Sequence, residues 1–508
     1  MGRVAVAVIV SLWVVPMSIL VNRVVPEPYM DEIFHIPQAQ QYCRGNFRSW
    51  DPMITTPPGL YYLSLAYVGI LYPGMIFTRA ISSFPDICSP AILRSVNAVL
   101  AVICSVLVYE IMTLLRPGVN DRNATACAVV LASYPLQWFF TFLYYTDAAS
   151  LTMVLAMYLA CLKKRYWISA LLGALSVIVR QTNIVWILFA ACTGIIDITL
   201  LSGKFHVKVA DIDGPINEPS QLIRKKGKIS SNLRRRKYNG AVDAGEIVRP
   251  TANIFSSEMP GLLDEIKAIL STSWHMKWEI LVHFVPFVMI LVAFIAFIRW
   301  NGSIVLGAKD AHTVSPHFAQ VMYFGLVSTL AMAPVHFSWG QAARISRSLW
   351  RNRPLSFLQV LIAICASFLS VHFFSIAHPY LLADNRHYPF YLWRKVINAH
   401  WSMRYLLVPL YAYSWLSIFS VLGRYRKRIW IVAYFLATAA ILVPAPLIEF
   451  RYYTVPFYLL MLHSNVTDNQ SWFLMGFLYV VTNIFTMSMF LFQPFQWDHE
   501  PGFQRFIW

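Results

Sequence analysis

Apolar runs long enough to cross a lipid bilayer recur along the whole chain, and they limit what it can fold into. The sequence predicts spans at residues 4–22, 92–115, 124–143, 148–162, 166–180, 184–201, 278–300, 317–337, 355–376, 402–423, 428–444 and 472–492. Hydrophobic residues make up 58% of the chain and charged residues 13%, a balance that would leave a soluble protein with large apolar areas in water. We therefore expect an all-α fold, a polytopic transmembrane helical bundle of about 12 spans.

Short basic segments separate these runs. A formal net charge of +17 would suit nucleic-acid binding in a soluble protein. Here Lys and Arg cluster beside the apolar runs instead, which is the pattern that sets orientation in a membrane. The basic clusters are residues 163–165, 202–276, 344–353 and 424–428. They fall on one side of the predicted bundle, which by the positive-inside rule is cytosolic, and we expect no nucleic-acid partner.

The chain divides into three predicted parts. Residues 1–201 form an N-terminal transmembrane module whose first lumenal loop covers residues 23–91, and residues 277–508 form a C-terminal transmembrane module with further lumenal loops. Between them, residues 202–276 are basic, polar and without apolar periodicity, so we expect a largely disordered cytosolic loop. Residues 211–213 in this loop match the Asp-x-Asp pattern of metal-dependent, nucleotide-sugar transferases, but the loop lacks the strand–helix pattern of a nucleotide-binding domain.

The face opposite the basic clusters receives most of the clustered polar and aromatic residues. A glycosylation sequon at Asn301 supports a lumenal position for its loop. Cys43 and Cys88 both lie in the first loop, and they can pair if that loop faces an oxidising lumen. Residues 449–463 fit either a span or an interfacial helix, so the side of the C-terminus stays open at this point.

The first large polar interruption, residues 28–59, follows the first span directly. Its acidic pair, Asp31 and Glu32, stands just beyond the predicted end of a membrane helix. Adjacent side chains point about 100° apart on a helix and to opposite faces on a strand, so we expect one of the two acids to face a substrate. Asp31 is the candidate general base. The alternative is that Asp31 caps a helix that begins at Glu32.

Six stretches of the chain carry a resemblance to a known family. They are residues 30–40 (MDEIFHIPQAQ), 50–61 (WDPMITTPPGLY), 180–184 (RQTNI), 383–388 (ADNRHY), 449–453 (EFRYY) and 504–508 (QRFIW). Together they resemble the dolichyl-phosphate-glucose-dependent α-1,2-glucosyltransferases of the endoplasmic reticulum, which belong to the GT-C class of membrane glycosyltransferases. The resemblance spans nearly the whole chain and is weakest in residues 202–276.

The resemblance implies an activity and a location. The donor would be dolichyl-phosphate-glucose, and the acceptor a diglucosylated high-mannose oligosaccharide on dolichyl diphosphate, which receives its last glucose before transfer to protein. The enzyme would lie in the endoplasmic reticulum membrane with its active site in the lumen. A β-linked donor and an α-linked product imply inversion in one displacement. The alternatives are a polyprenyl-phosphate-mannose-dependent GT-C mannosyltransferase and a non-enzymatic transporter or channel-associated protein.

The chemistry of sugar transfer from a lipid phosphate needs one base and positive charge. The phosphate leaves as a stable anion without a general acid, so a single carboxylate suffices. Preorganised cations must stabilise the growing charge on the phosphate. The candidates are Arg386, His387 and Arg451, since Arg grips phosphate oxygens in pairs. The alternative is that these cations pair with Asp384 and Glu449 or reach lipid headgroups.

Further polar and aromatic side chains complete the predicted substrate-binding set. They are Glu32, His35, Tyr145, Asp147, Arg180, Gln181, Asn183, Asp384 and Tyr452. Polar groups at membrane depth usually face a cavity, and sugars are commonly held by aromatic faces and polar edges. For Arg180 the alternative is a structural pair with Asp147, and for Tyr145 it is a place in the aromatic belt of the membrane interface.

Neither a metal nor a cofactor is expected. The 13 His residues are scattered, with no His-Glu-x-x-His pattern, and Arg alone can neutralise a monophosphate leaving group. The resemblance likewise implies a metal-independent enzyme. The expected partners are therefore the two lipid-linked substrates and the bilayer.

Overall fold

Helices dominate the computed structural model, which describes residues 1–78, 80, 83–210, 261–351, 353–498 and 500–508. Up to residue 210 the helices are α1 (Gly2–Val24), α2 (Glu32–Cys43), α3 (Gly59–Phe77), α4 (Pro90–Leu115), α5 (Asp121–Ala132), α6 (Pro135–Phe140), α7 (Thr146–Leu162), α8 (Tyr166–Val179) and α9 (Ile184–Ala210). The later helices are α10 (Leu262–His275), α11 (Lys277–Asn301), α12 (Ala319–Ala331), α13 (Ala333–His336), α14 (Trp339–Arg351), α15 (Arg353–Phe373), α16 (Pro379–Ala383), α17 (Tyr388–Leu392), α18 (Met403–Leu406), α19 (Val408–Leu422), α20 (Arg428–Leu442), α21 (Thr454–His463) and α22 (Asn469–Phe492). An antiparallel hairpin follows, formed by β1 (Phe495–Trp497) and β2 (Glu500–Gln504). The predicted all-α class is confirmed.

The chain divides into two compact units. Contacts divide the protein into one unit of Met1–Ile196 with Met276–Trp508 and a second unit of Asp197–His275. The second unit contains most of the loop predicted to be largely disordered, yet both ends of that loop are helical, in α9 and α10. The Asp-x-Asp pattern at residues 211–213 lies outside the described residues.

Two antiparallel helices, α1 and α4, define the two ends of the main unit. At one end Arg94 of α4 donates a hydrogen bond to Asn22 over 3.1 Å, and at the other end Arg3 pairs with Glu110. Lys163, from a predicted cytosolic cluster, also binds Glu110, at 3.2 Å. We call the first the loop end, because α1 leads there into the first loop, and the second the basic end.

Helix α3 lies inside the first loop and was not among the predicted spans. The described residues contain eight helices long and apolar enough to cross a membrane, and α3 is one of them. However, a disulfide joins Cys43 at the end of α2 to Cys88 just before α4, with the two Cα atoms 6.6 Å apart, and Val68 from the middle of α3 packs in the same cluster. Both cysteines lie at the loop end, so the segments that precede and follow α3 are joined there. The two cysteines of the first loop therefore pair.

Proline divides two of the predicted spans. The span at residues 124–143 is broken into α5 and α6, and the span at residues 317–337 into α12 and α13. Pro135 opens α6 and Pro334 lies in the first turn of α13, where a proline fits, while it could not continue a preceding helix. The predicted span at residues 402–423 covers two helices, α18 and α19, and each of the remaining predicted spans coincides with one helix. The number of crossings stays a prediction.

The last two helices bring the chain back to the loop end. Arg116, beyond the last turn of α4 at the basic end, donates to the carbonyl of Leu462 over 3.1 Å, so α21 ends at the basic end. Helix α22 then returns, and beyond the hairpin the main-chain N–H of Arg505 donates to the hydroxyl of Tyr29 over 2.7 Å. The C-terminal segment thus lies at the loop end, which answers the question that the sequence left open.

The loop that contains the sequon at Asn301 lies at the loop end too. The main-chain N–H of Leu306 donates to the carbonyl of Thr55 over 3.1 Å. Gly307 permits this close approach, because a Cβ at that position would stand 2.1 Å from the carbonyl oxygen of Pro52. This loop therefore covers part of the first loop, on the face predicted to be lumenal.

Candidate active site

Asp31 occupies the turn between α1 and α2. Met30 before it has a φ of 55°, a left-handed conformation that costs an L-residue roughly 1–2 kcal/mol. Asp31 stands at the N-cap of α2, yet its side chain makes no capping bond to the described first turn. Instead its carboxylate, 40% exposed, accepts a hydrogen bond from Arg451 over 2.8 Å. The capping alternative is therefore wrong, and Asp31 meets a cation from the far end of the chain.

Glu32 has the opposite surroundings. Its side chain is fully buried, and Arg94 donates to its two oxygens over 2.8 and 2.6 Å. The main-chain N–H groups of Tyr29 and Tyr144 donate to the same carboxylate over 3.1 and 2.6 Å. These bonds tie the first loop to α4 and to the turn before α7. As predicted, only one member of the acidic pair faces outward, and Glu32 serves the structure of the turn that holds Asp31.

Arg451 lies in a short turn, Phe450–Tyr453, that precedes α21. Its guanidinium grips Glu449 with two hydrogen bonds, of 2.5 and 3.0 Å. The remaining nitrogen, Nη1, reaches Asp31, and the ring of Tyr145 lies 5.6 Å from the guanidinium. Arg451 thus makes both the predicted approach to the acidic site and the alternative pairing with Glu449.

The shared arginine decides how the two carboxylates are protonated. Burial raises the pKa of Asp31, but the charge and hydrogen bond of Arg451 outweigh burial, so the pKa lies below its ordinary value. Burial also raises the pKa of Glu449, and Arg451 again lowers it to below the ordinary value. Both groups are therefore ionised at neutral pH, and Asp31 is in the form that a proton acceptor requires.

A cavity of about 260 Å³ opens beside Asp31 at the loop end. The predicted site residues that line it are Asp31, His35, Tyr145, Asp384, His387 and Arg451. Glu449, Ile507 and Trp508 also line it. Segments from five distant parts of the sequence therefore meet around Asp31 and Arg451.

His35 forms a neutral polar edge of this cavity. Its Nδ1 lies 2.6 Å from the hydroxyl of Tyr61. Burial lowers the pKa of His35 below its ordinary value, and Asp31 only partly opposes this. An imidazole that is neutral at neutral pH can donate or accept a hydrogen bond without adding charge.

The stretch at residues 384–387 presents its side chains in two directions. Asp384 and His387 line the Asp31 cavity, with His387 Nε2 at 3.6 Å from the Asp384 carboxylate. Arg386 grips Asp384 over 2.9 and 2.8 Å and lines a neighbouring depression of about 650 Å³, where its guanidinium lies 4.7 Å from the ring of Trp497. For Arg386 the alternative pairing with Asp384 is what the structure contains.

Asp147 and Arg180 form a pair outside the described lining of the cavity. Arg180 Nη1 donates to Asp147 over 2.8 Å, and the guanidinium lies 5.8 Å from the ring of Tyr452. This is the structural pairing that the sequence left open. Asp147 Oδ2 is buried and has no hydrogen-bond partner among the described residues, which is uncommon for a buried carboxylate oxygen.

Gln181 and Asn183 position the backbone around the site. Gln181 donates to the carbonyl of Thr55, a cavity-lining residue, over 2.9 Å. Asn183 is 1% exposed and donates to Ser150 and to the carbonyl of Ser176, both over 2.9 Å. The contacts described for both residues join helices to loops.

Two important residues are missing from the predicted set. Arg94 was detectable, because a charge inside an apolar run needs a partner. Trp508 ends the motif at residues 504–508, but the motif does not predict where the C-terminal segment folds. Within the described ranges no group of three or more His, Cys, Asp or Glu residues is arranged to hold a metal ion, and the expectation of a metal-free site stays a prediction.

Fold and site together define a polytopic helical membrane protein with a charged cavity at one end of its bundle. The model of one family, DIE2/ALG10, matches residues 25–462, most of the chain. The chain therefore belongs to the DIE2/ALG10 family, which confirms the resemblance seen in the motifs.

Individual relatives agree with the family. An Arabidopsis thaliana protein named Dol-P-Glc:Glc(2)Man(9)GlcNAc(2)-PP-Dol alpha-1,2-glucosyltransferase is 59% identical over 512 residues, with 100% of each chain covered. Proteins of the same name from Mus musculus and Homo sapiens are each 33% identical, with 96% of this chain and 94% of theirs covered. No solved structure matches the chain.

Proposed function

We propose that this chain transfers glucose from dolichyl-phosphate-glucose to the terminal glucose of a diglucosylated, dolichyl-diphosphate-linked high-mannose oligosaccharide, in α-1,2 linkage. The names of the relatives support the reaction. The observation that carries the proposal is the contact of the ionised Asp31 with Arg451 in a cavity at the loop end. The basic end faces the cytosol under the positive-inside rule, so this cavity opens toward the lumen of the endoplasmic reticulum.

The reaction is a single displacement with inversion. The acceptor hydroxyl oxygen attacks C1 of the donor glucose from the face opposite the phosphate. The new oxygen–C1 bond forms as the bond from C1 to the phosphate oxygen breaks, and the electron pair of that bond leaves with dolichyl phosphate. The hydroxyl proton passes to the carboxylate of Asp31. The phosphate is a stable anion and needs no acid, so one carboxylate performs the proton transfer.

Inversion also separates the base from the leaving group. Asp31 acts on the acceptor side of C1, whereas the phosphate departs from the other side. The Nη1–H of Arg451 that donates to Asp31 over 2.8 Å cannot donate to the phosphate at the same time. Its two bonds to Glu449 give it an anchor that is independent of Asp31. We infer that the donor phosphate replaces Asp31 as the partner of Nη1 while Arg451 stays on Glu449.

This exchange prepares the base. Burial raises the pKa of Asp31, and the hydrogen bond from Arg451 offsets part of this effect. When that bond is lost, the pKa of Asp31 rises and its carboxylate becomes a stronger proton acceptor. His387 lines the same cavity, where in its imidazolium form it can donate from Nε2 to the phosphate while Nδ1 donates to the main-chain oxygen of Trp508 over 3.1 Å. Donor binding and activation of the base are thus one event.

A transfer assay with purified protein tests the function. Dolichyl-phosphate-glucose or dolichyl-phosphate-mannose is supplied with the diglucosylated acceptor, and the product is read by mass spectrometry and by digestion with an α-1,2-specific glucosidase. We expect one hexose to be added from the glucose donor alone, in a linkage that the glucosidase removes. Transfer from the mannose donor, or no transfer from either donor, would contradict the proposal.

A further inference from the structure

The C-terminal segment, residues 504–508, forms part of the wall of the Asp31 cavity. Ile507 and Trp508 both line the cavity. The sequence motif drew attention to this segment, but the reaction described above uses none of its side chains. Its position therefore needs a separate explanation.

This segment is held by main-chain bonds to both halves of the site. The main chain of Arg505 both donates to and accepts from the hydroxyl of Tyr29, two residues before Asp31, over 2.7 Å in each case. The N–H of Ile507 donates to the carbonyl of Arg386 over 2.9 Å, and the N–H of Tyr388 donates back to Ile507 over 3.0 Å. The position of the next residue, Trp508, is therefore set by the same two segments that carry Asp31 and His387.

The indole of Trp508 combines a packed ring with an unpaired donor. Its ring centroid lies 5.0 Å from that of Tyr388 and 6.2 Å from that of Phe450. Its Nε1–H is buried and has no hydrogen-bond partner in the part of the chain that the structure describes. A buried indole N–H usually has a partner. Trp508 lines the cavity, and its indole N–H has no partner in that part of the chain; a ligand that brings an acceptor would satisfy this donor.

We propose that Trp508 is a sugar-binding residue of this site, a proposal that rests on the function proposed above. The indole packs against the face of a hexose ring, and its Nε1–H donates to a sugar hydroxyl. A hexose suits both contacts, because its C–H groups form an apolar face and its hydroxyl oxygens are acceptors. The hexose is either the glucose of the donor or the terminal glucose of the acceptor, and binding measurements distinguish the two.

The measurements use the Asp31→Asn variant, in which we expect turnover to be slowed by about 10²–10⁴-fold. Equilibrium binding of dolichyl-phosphate-glucose, of dolichyl phosphate and of the diglucosylated acceptor is compared with and without Trp508→Phe. Loss of one hydrogen bond should weaken one of the sugar-bearing ligands by about three- to tenfold, while dolichyl phosphate binds unchanged. Weaker binding of the donor assigns Trp508 to the donor glucose, and weaker binding of the acceptor assigns it to the acceptor glucose.

Two further variants separate sugar binding from folding. Phe506→Leu is the matched control, because the Phe506 ring packs 4.9 Å from that of Phe495 and lies outside the described lining of the cavity; it should leave all three affinities unchanged. Trp508→His keeps a ring N–H and should restore part of the affinity that Trp508→Phe loses. The proposal is overturned if Trp508→Phe changes no affinity, or if it weakens dolichyl phosphate as much as dolichyl-phosphate-glucose. Failure of the unaltered protein to transfer glucose would instead remove the proposed function, so the two failures are distinguishable.

Discussion

Asp31 and Glu32 are neighbours in sequence, each bonded to an arginine, and they have different roles. Glu32 and Arg94 are 0% and 1% exposed, and four hydrogen bonds saturate the Glu32 carboxylate. Asp31 is 40% exposed to a cavity, and its described side-chain contact is the single bond from Arg451. Both pairs join a carboxylate to an arginine. What differs is whether a ligand can reach the carboxylate and replace its partner.

The Glu32 and Asp31 pairs also differ in how much they contribute to stability. A buried pair contributes modestly to stability as a whole, but removal of one partner leaves an uncompensated charge and costs about 3–5 kcal/mol. A part-exposed pair contributes little. The Glu32 pair therefore maintains the shape of the turn, whereas the Asp31 pair can be opened by a substrate at small cost.

The largest expected effect is on catalysis by Asp31→Asn. The amide keeps the size of the side chain but cannot take a proton, so kcat should fall by about 10²–10⁴-fold. The thermal unfolding midpoint should stay near that of the unaltered protein, because the Asp31 pair is part-exposed. Rates of glucose transfer and thermal unfolding in the same detergent provide both values. If Asp31→Asn turns over at the normal rate, Asp31 is not the base, and the difference in role between Asp31 and Glu32 is contradicted.

For Arg94→Met we expect the reverse, a loss of stability with little change in kcat. This change leaves the Glu32 carboxylate buried without its cation and should lower the free energy of unfolding by about 3–5 kcal/mol. Glu32→Gln together with Arg94→Met removes both charges and should recover part of that loss. Protein that remains folded should keep kcat within a few-fold of normal. A stable Arg94→Met variant as inactive as Asp31→Asn would place the Glu32 pair in the chemistry and contradict the assignment.

The smallest effect concerns pH. The pKa of Asp31 is lowered, so its ionised form persists as pH falls, and the acid limb of kcat/KM that Asp31 governs should lie below the ordinary value of about 3.9. Arg451→Gln removes the attraction and leaves burial, which raises the pKa. The acid limb should therefore move to higher pH in this variant, in addition to weaker donor binding. An unchanged or lower limb would show that Arg451 does not control the base.

The free energy of unfolding should also depend on pH through Asp31 and Glu449. Asp31 and Glu449 both have pKa values below those of the unfolded chain, so the stability that they contribute is present above the unfolded values and is lost as pH falls through the folded ones. Arg451→Gln removes this contribution at both sites. The two pH effects thus have one source, the shared guanidinium.

The sequence indicated much of this fold and part of the site, for reasons that particular residues show. Apolar runs predicted the helices because a span must satisfy its own backbone, and the helix period predicted that only one of Asp31 and Glu32 would face outward. Which acid this is depends on Arg94, 62 positions away from Glu32. Hydropathy alone makes α3 a candidate span, whereas the disulfide that ties together the segments on its two sides is a contact between residues 45 positions apart.

The remaining differences between the predicted and the observed site have one cause. Arg386 and Arg451 are equally suitable phosphate ligands by residue type, yet Arg386 faces the neighbouring depression and Arg451 the Asp31 cavity. Trp508 joins the site only because the C-terminal segment folds back between Tyr29 and Tyr388. Such placements arise from contacts between distant segments, which local sequence patterns do not encode.

The account is tested most directly by a structure of the Asp31→Asn variant with dolichyl-phosphate-glucose and the diglucosylated acceptor bound. We predict an acceptor hydroxyl oxygen within about 3.2 Å of the residue 31 side chain, the phosphate on Nη1 of Arg451, and Arg451 still bonded to Glu449. A phosphate bound beside Arg386 and Trp497, or a reacting hydroxyl beside Asp147 instead of residue 31, would contradict it.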